Sequence, residues 1–421
     1  MSGGLRTTVR LALALALLAT GPVSPAQALR KVEIPPQPSC VQLEQASLRF
    51  PGSREAQDRF YDKLDSLLAG GGRSVNIWHV GGSHVQAGFF PLAVISDIDS
   101  LTTGLHNGRG FFFPYTIADT NYDKNIRMSS TGEWKAAISS RPGSDLFPKY
   151  GITGMACSTT DTLATVSFGL NSGRHPKWRF NRLRIMGEAS SDDVFPYVRL
   201  ESGDTLHFSY DDFTSSYICN FREDLDSATV CFNIPEGGKF TLTGIEPVDG
   251  FPGVNYYSSG ANGARLGTWL DVCTDLGRDL RIVHPDLAIF AVGINDSACS
   301  SSEFKPEKFK NNYRALIRLI RNVSPDCAFI FITNNDSYRY VRRGMTYNTN
   351  AVAVQKAMYQ LAEEYGAGVW DLYEIMGGKG SIIGWRDSGL AMKDRLHFTK
   401  EGYTLLGDLF YNALVEDHDK R

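Results

Sequence analysis

Apolar and polar positions alternate in three different rhythms along this chain, and each rhythm predicts a different kind of element. Three short runs are apolar almost throughout: residues 75–80 (Val-Asn-Ile-Trp-His-Val), 287–292 (Leu-Ala-Ile-Phe-Ala-Val) and 328–333 (Ala-Phe-Ile-Phe-Ile-Thr). Runs of this length with no polar face suit parallel strands covered by helices on both sides. Helical spacing surrounds them, over 86–101 (with Pro91 interrupting its early part), 306–323, 350–365 and 399–416. Thr399 is placed to cap the last of these, with Glu401 in its first turn. Strand alternating with helix predicts an α/β fold of three layers, α/β/α, around a parallel sheet.

Between about 158 and 250 the helical rhythm vanishes. Short β-rich runs replace it at 165–170, 178–187, 197–200, 205–210, 228–234 and 239–245, separated by turn-formers such as Asn171-Ser-Gly and Pro235-Glu-Gly-Gly. That spacing predicts a small antiparallel β-sandwich inserted into the α/β domain. The expected organisation is therefore residues 29–157 and 251–421 as the two parts of one α/β domain, with 158–250 as the insert.

Residues 1–28 stand apart. Arg6 and Arg10 precede an apolar stretch at 11–19, and Ala26-Gln27-Ala28 fits a small-x-small cleavage site. The apolar stretch is well short of the roughly 20 residues that span a bilayer. This segment reads as a signal peptide, so a periplasmic or secreted protein with no integral membrane segment in its mature chain is expected. Charge adds little: 43 Lys plus Arg against 46 Asp plus Glu gives −3, or −5 once the two leader arginines are removed. Nothing here suggests a nucleic-acid partner. Seven cysteines in an oxidising compartment permit up to three disulfides. Cys219 and Cys231, in neighbouring strand-like runs, are the first pair to expect. No Cys/His cluster has zinc-ligand spacing, and no metal or organic cofactor is expected.

Four pieces of sequence could carry chemistry. Ser83 follows the 75–80 strand in Gly81-Gly82-Ser83, at a strand-to-helix turn where a backbone N–H could face an oxyanion. Asp394-Arg-Leu-His397 places a carboxylate and an imidazole three residues apart, on one face if the segment turns helically. Such a pair can orient a general base, and a serine hydroxyl needs one to become a nucleophile. Gly293-Ile-Asn295-Asp296 follows the 287–292 strand, at the end of a parallel sheet where ligands bind, and its Asn295 amide could donate to a developing oxyanion. Gly260-Ala-Asn-Gly263-Ala could supply another backbone donor. There is no phosphate loop, dinucleotide fingerprint or HExxH zinc helix. His84 reads as a loop-packing residue, and Asn107-Gly-Arg-Gly with the three phenylalanines after it reads as a core turn.

In this order, serine, glycine, Gly-x-Asn-Asp and then Asp-x-x-His, the pieces resemble the SGNH hydrolases, also called GDSL esterases. The resemblance covers about residues 73–415. It implies Ser83 as nucleophile, His397 as general base, Asp394 as its orienting acid, and the Ser83 N–H, Gly263 and Asn295 as oxyanion donors. The choice of Gly263 over Gly260 rests on the Ala-Arg-Leu that follows it. Gly81-Gly-Ser83-His84-Val-Gln-Ala-Gly88 is more narrowly similar to the first block of bacterial peptidoglycan O-acetylesterases. Those enzymes also carry an inserted β-sandwich related to carbohydrate-binding modules. The resemblance implies removal of acyl groups, O-acetyl above all, from a cell-envelope or extracellular glycan such as peptidoglycan. Two other functions fit the same residues: an O-acetyltransferase, or a non-catalytic glycan-binding protein with a degenerate site. One departure stands out, because Gly82 occupies the place of the Asp that braces the serine loop in that family.

Overall fold

A computed structural model of the chain describes residues 29–421 except 103, 123–124, 142–148, 172–177, 201–202 and 343. The signal peptide expected at 1–28 lies outside the described residues. Five strands form a parallel sheet: β1 (Val75–Gly81), β2 (Val254–Gly260), β3 (Leu287–Ala291), β4 (Ala328–Ile332) and β5 (Gly368–Trp370), in the spatial order β2-β1-β3-β4-β5. Successive residues of β1, β3 and β4 feed opposite cores, which is why these three runs are apolar almost throughout. Ile77, Leu287, Ile289, Ile330 and Ile332 face one core. Trp78, Val80, Ala288, Phe290, Phe329 and Phe331 face the other.

Helices α1 (Glu55–Leu68), α2 (Phe89–Leu101) and α6 (Lys400–Asp419) cover the first face through residues such as Phe60, Val94 and Leu406. Helices α3 (Leu276–Val283), α4 (Pro306–Val323) and α5 (Ala351–Tyr365) cover the second through Leu280, Tyr313 and Met358. Thr399 caps α6, its hydroxyl accepting from the Gly402 N–H at 3.1 Å. The expected helix over 86–101 is divided. Ser83–Gln86 makes a single turn, Gly88 at φ 82° redirects the chain, and α2 begins with Pro91 in its first turn, where a missing N–H costs nothing.

The insert is a two-sheet antiparallel sandwich with six strands in one sheet and five in the other. Its sheets begin earlier than residue 158. Strands Arg127–Thr131, Lys135–Ile138 and Met155–Thr159 all belong to them. Both of the first two are edge strands: Arg127–Thr131 is mostly exposed and polar, and Lys135–Ile138 is only four residues long, so neither shows the apolar alternation that marks the others. No disulfide joins Cys219 to Cys231, and all seven cysteines are free thiols. Cys219 lies on the six-stranded sheet between Tyr217 and Phe221, both turned toward the core. Cys231 lies on the other sheet between Val230 and Phe232, which are in the core, so alternation turns its thiol to that sheet's opposite face, where it is also buried. Among the described residues no helix is long and apolar enough to cross a membrane, and no cluster of metal-ligating side chains occurs.

Candidate active site

The loops that follow β1, β2, β3 and β4 meet at the carboxyl end of the sheet. In a 2-1-3-4-5 sheet the crevice opens where the strand order reverses, beside β1 and β3. Ser83 follows β1 and Asn295 follows β3. The turn carrying Asp394 and His397 enters from the segment before α6.

Ser83 Oγ lies 2.7 Å from His397 Nε2, and His397 Nδ1 lies 2.7 Å from Asp394 Oδ2. With Nδ1–H donating to the carboxylate, Nε2 is left to accept the serine proton. The other carboxylate oxygen accepts from the backbone N–H of Leu396 and of His397, both at 3.0 Å. Partial burial would raise the Asp394 pKa, but the hydrogen bonds from the His397 side chain and these two amides outweigh it and hold the acid at about 2. The segment is not a helical turn. Arg395 takes φ 54°, and the Met392 N–H donates to the His397 carbonyl at 2.7 Å, so Asp394 and His397 are brought together by a tight loop closed on its own carboxylate.

The donors gather beside the serine. Ser83 opens its one-turn helix, so its N–H has no partner within that turn. Asn295 Nδ2 donates to the Ala264 carbonyl at 3.0 Å, which leaves its second proton to serve a ligand. Gly260 and Gly263 divide their duties. Gly260 pairs with Gly81 across the sheet, and a Cβ there would lie 2.2 Å from the Gln86 nitrogen, so its role is close packing. Gly263 occupies the third position of the turn 261–264 at φ 78°, a conformation that favours glycine, and that turn is closed by Ala264 N–H to Ala261 O at 2.9 Å. Side chains fix this turn from several directions. Gln86 Oε1 accepts the Asn262 N–H at 2.6 Å, Asn262 Nδ2 donates to Asn121 Oδ1 at 2.7 Å, and Ser140 of the insert donates to the Asn262 carbonyl. Asp296 accepts from Leu266 N–H, and burial raises its pKa to about 6.

Residues 244–405 match the model of the GDSL-like lipase/acylhydrolase family. The matched stretch, similar to that family, holds Gly263, Asn295, Asp394 and His397, while Ser83 lies before it. Its fold is that of a solved peptidoglycan O-acetylesterase, with a TM-score of 0.72 at 19% identity over 89% of this chain and 99% of that one. An acetyl xylan esterase matches 38% of this chain and 81% of its own at 16% identity, with a TM-score of 0.31. An acetylxylan esterase from Geobacillus stearothermophilus matches 38% and 73% at 17% identity, with a TM-score of 0.29. Those two scores are too low to add to the fold argument. No curated protein sequence matches the chain.

Gly82 leaves an opening where a side chain would crowd the site. A Cβ at 82 would lie 3.0 Å from Asn295 Nδ2. His84 packs behind the base, its Nδ1 2.7 Å from the Tyr403 hydroxyl and its ring 5.3 Å from that of His397. Burial first, and the neighbouring His397 second, lower its pKa to about 3, so it stays neutral. Phe111, Phe112 and Phe113 are all buried in the two cores. Sequence reasoning passed over the loop after β4, Thr333-Asn-Asn-Asp-Ser337, whose five side chains are all buried. The available signal was its place: a polar run directly behind a buried parallel strand, at the ligand end of the sheet.

Proposed function

We propose that the protein is a serine esterase that removes acyl groups, O-acetyl above all, from a cell-envelope or extracellular glycan such as peptidoglycan. The observation that carries the chemistry is the continuous relay Ser83–His397–Asp394, both links at 2.7 Å. Ser83 Oγ attacks the ester carbonyl while His397 Nε2 takes its proton, and Asp394 holds the imidazole and balances its charge. The tetrahedral oxyanion rests on the Ser83 N–H, the Gly263 N–H and Asn295 Nδ2. His397 then protonates the departing sugar oxygen, and water, activated by the same base, releases acetate from the acyl-enzyme. Support for a glycan ester comes from the fold, shared across both the catalytic domain and the insert with a peptidoglycan O-acetylesterase. An exported protein, delivered by a leader at 1–28, fits that substrate.

The test is acetate release from O-acetylated peptidoglycan by the mature chain and by Ser83→Ala. Release that disappears in the variant is expected. Hydrolysis of aryl acetates without any release from the glycan would overturn the substrate. Inertness toward both would overturn the esterase reading. Transfer of acetyl to an added acceptor sugar in preference to water would make the protein a transferase.

A further inference from the structure

We infer that the adjacent residues Asn334 and Asn335 are positioning residues that lock the two halves of the active site to one another; the inference rests on the esterase mechanism above. They follow β4 directly, are 6% and 1% exposed, and reach in different directions. Asn335 Nδ2 donates to the Leu396 carbonyl at 2.9 Å and to the Asp336 carbonyl at 3.0 Å, so both of its amide protons are used. Leu396 is the residue before His397, and its own N–H is held by Asp394. The next backbone contact fixes the same loop, with Tyr338 N–H donating to the Arg395 carbonyl at 2.9 Å. Asn335 thus ties the acid–base loop to the end of a core strand.

Asn334 points to the other half. Its Nδ2 donates to Ser297 Oγ at 3.1 Å, and its Oδ1 sits 2.8 Å from where a Cβ on Gly293 would lie. Ser297 closes the Asn295 loop on itself, its hydroxyl donating to the Ile294 carbonyl at 3.0 Å while its N–H donates to the Gly293 carbonyl. One buried dipeptide just past the end of a core strand therefore sets the spacing between the oxyanion donor and the base. Asp394 and His397 lie in an irregular loop with positive φ at Arg395, and such a loop keeps a geometry good to a fraction of an ångström only if packed groups over-determine it.

The experiment uses the mature chain with Asn335→Ala, Asn334→Ala and the control Asn76→Ala. Asn76 donates to the Val283 carbonyl at the opposite end of the sheet, so its loss weakens the fold without touching the site. Each protein is tested for p-nitrophenyl acetate hydrolysis and for its rate of labelling by a fluorophosphonate, with the final number of labelled Ser83 counted. Asn335→Ala is expected to label every molecule in the end, but about 30-fold more slowly, with kcat down by a similar factor and KM within about threefold. Asn334→Ala should lower kcat about tenfold. The control should lose thermal stability yet label within twofold of wild type. If Asn335→Ala does not fold, Asn335→Ser, which keeps a small donor at the strand end, carries the same test at low temperature. Wild-type labelling rates in the Asn335 variants, or a loss confined to the fraction of molecules that label, would overturn the inference. A wild-type chain that neither labels nor hydrolyses would overturn the esterase reading beneath it.

Discussion

Asp394→Asn separates catalysis from folding more cleanly than any other substitution in this site. The new side chain has almost the same shape, and its oxygen can still accept from the Leu396 and His397 amides that Asp394 Oδ1 now serves at 3.0 Å. Its nitrogen, however, replaces Oδ2 opposite His397 Nδ1. A donor there forces the imidazole into the tautomer with its proton on Nε2, which then points at Ser83 Oγ, 2.7 Å away, and cannot accept the hydroxyl proton. Losing the correct tautomer costs about 10⁴-fold in kcat where this geometry has been dissected, roughly 5.5 kcal/mol of transition-state stabilisation. The stability effect is much smaller. Asp394 is held near pKa 2 in the folded chain against 3.8 for the free group. A depressed carboxylate stabilises the fold above the unfolded pKa, and that contribution is lost only as pH falls through about 2. Solvent reaches about a quarter of the side chain, so at neutral pH the contribution is about 1 kcal/mol after screening. Asp394→Asn should therefore cut p-nitrophenyl acetate turnover at pH 7.5 by three to four orders of magnitude. Its thermal midpoint should move by only a few degrees. Wild-type turnover would remove Asp394 from the relay, and a midpoint that collapses by more than about 10 °C would show the loss to be structural.

Four further outcomes follow from the same geometry. Asn295→Ala should lower kcat by about 10²- to 10³-fold with little change in KM, because one oxyanion donor is worth roughly 3 to 4 kcal/mol; a pure KM effect in steady-state kinetics would refute it. Gly82→Ala places a methyl 3.0 Å from Asn295 Nδ2 and should cost about tenfold in kcat by displacing that amide, whereas unchanged turnover would mean the amide has room to move. Asp97 on α2 and Asp408 on α6 form a carboxyl pair: burial first, and each other second for Asp97, raise their pKa values to about 7 and about 6. Raised carboxyls favour the fold below pH 4 and lose that contribution as pH climbs through 6 to 7, so Asp97→Asn should raise the thermal midpoint at pH 8 but not at pH 4, and an equal shift at both would refute the pairing. Peptide mapping of the unreduced chain should find no Cys219–Cys231 cross-link, since the two thiols face opposite ways; a cross-linked peptide joining them, lost in Cys219→Ser and in Cys231→Ser, would contradict that orientation.

What the chain's sequence revealed, and what it hid, divides by whether a feature is local. β1, β3 and β4 were legible because a strand buried on both faces is apolar on both, with few polar positions to break the run. Ser83, Asp394 and His397 could be singled out because a nucleophile, a base and an acid would require particular atoms in a particular chain order, and the structure brings the three side chains within hydrogen-bond reach. The turn that joins the last two was misread as helical, because spacing alone cannot tell an i, i+3 pair on a helix from a loop closed on its own carboxylate. The edge strands at 127–138 hid for a related reason: one is mostly polar and exposed on the sheet's margin, and the other is four residues long, too short to display an alternation. Asn334 and Asn335 hid most completely. Each is an ordinary turn-former by type, and what distinguishes them is the partner each finds, Ser297 for one and the Leu396 carbonyl for the other, 37 and 61 residues away. A hydrolase relay is thus announced by its reacting atoms, whereas the groups that keep those atoms within reach are announced only by burial. In this fold, five consecutive buried polar side chains after β4 would be an expensive arrangement for a mere connection. Their burial becomes intelligible once the loop is seen to fix the distance between Asn295 and His397.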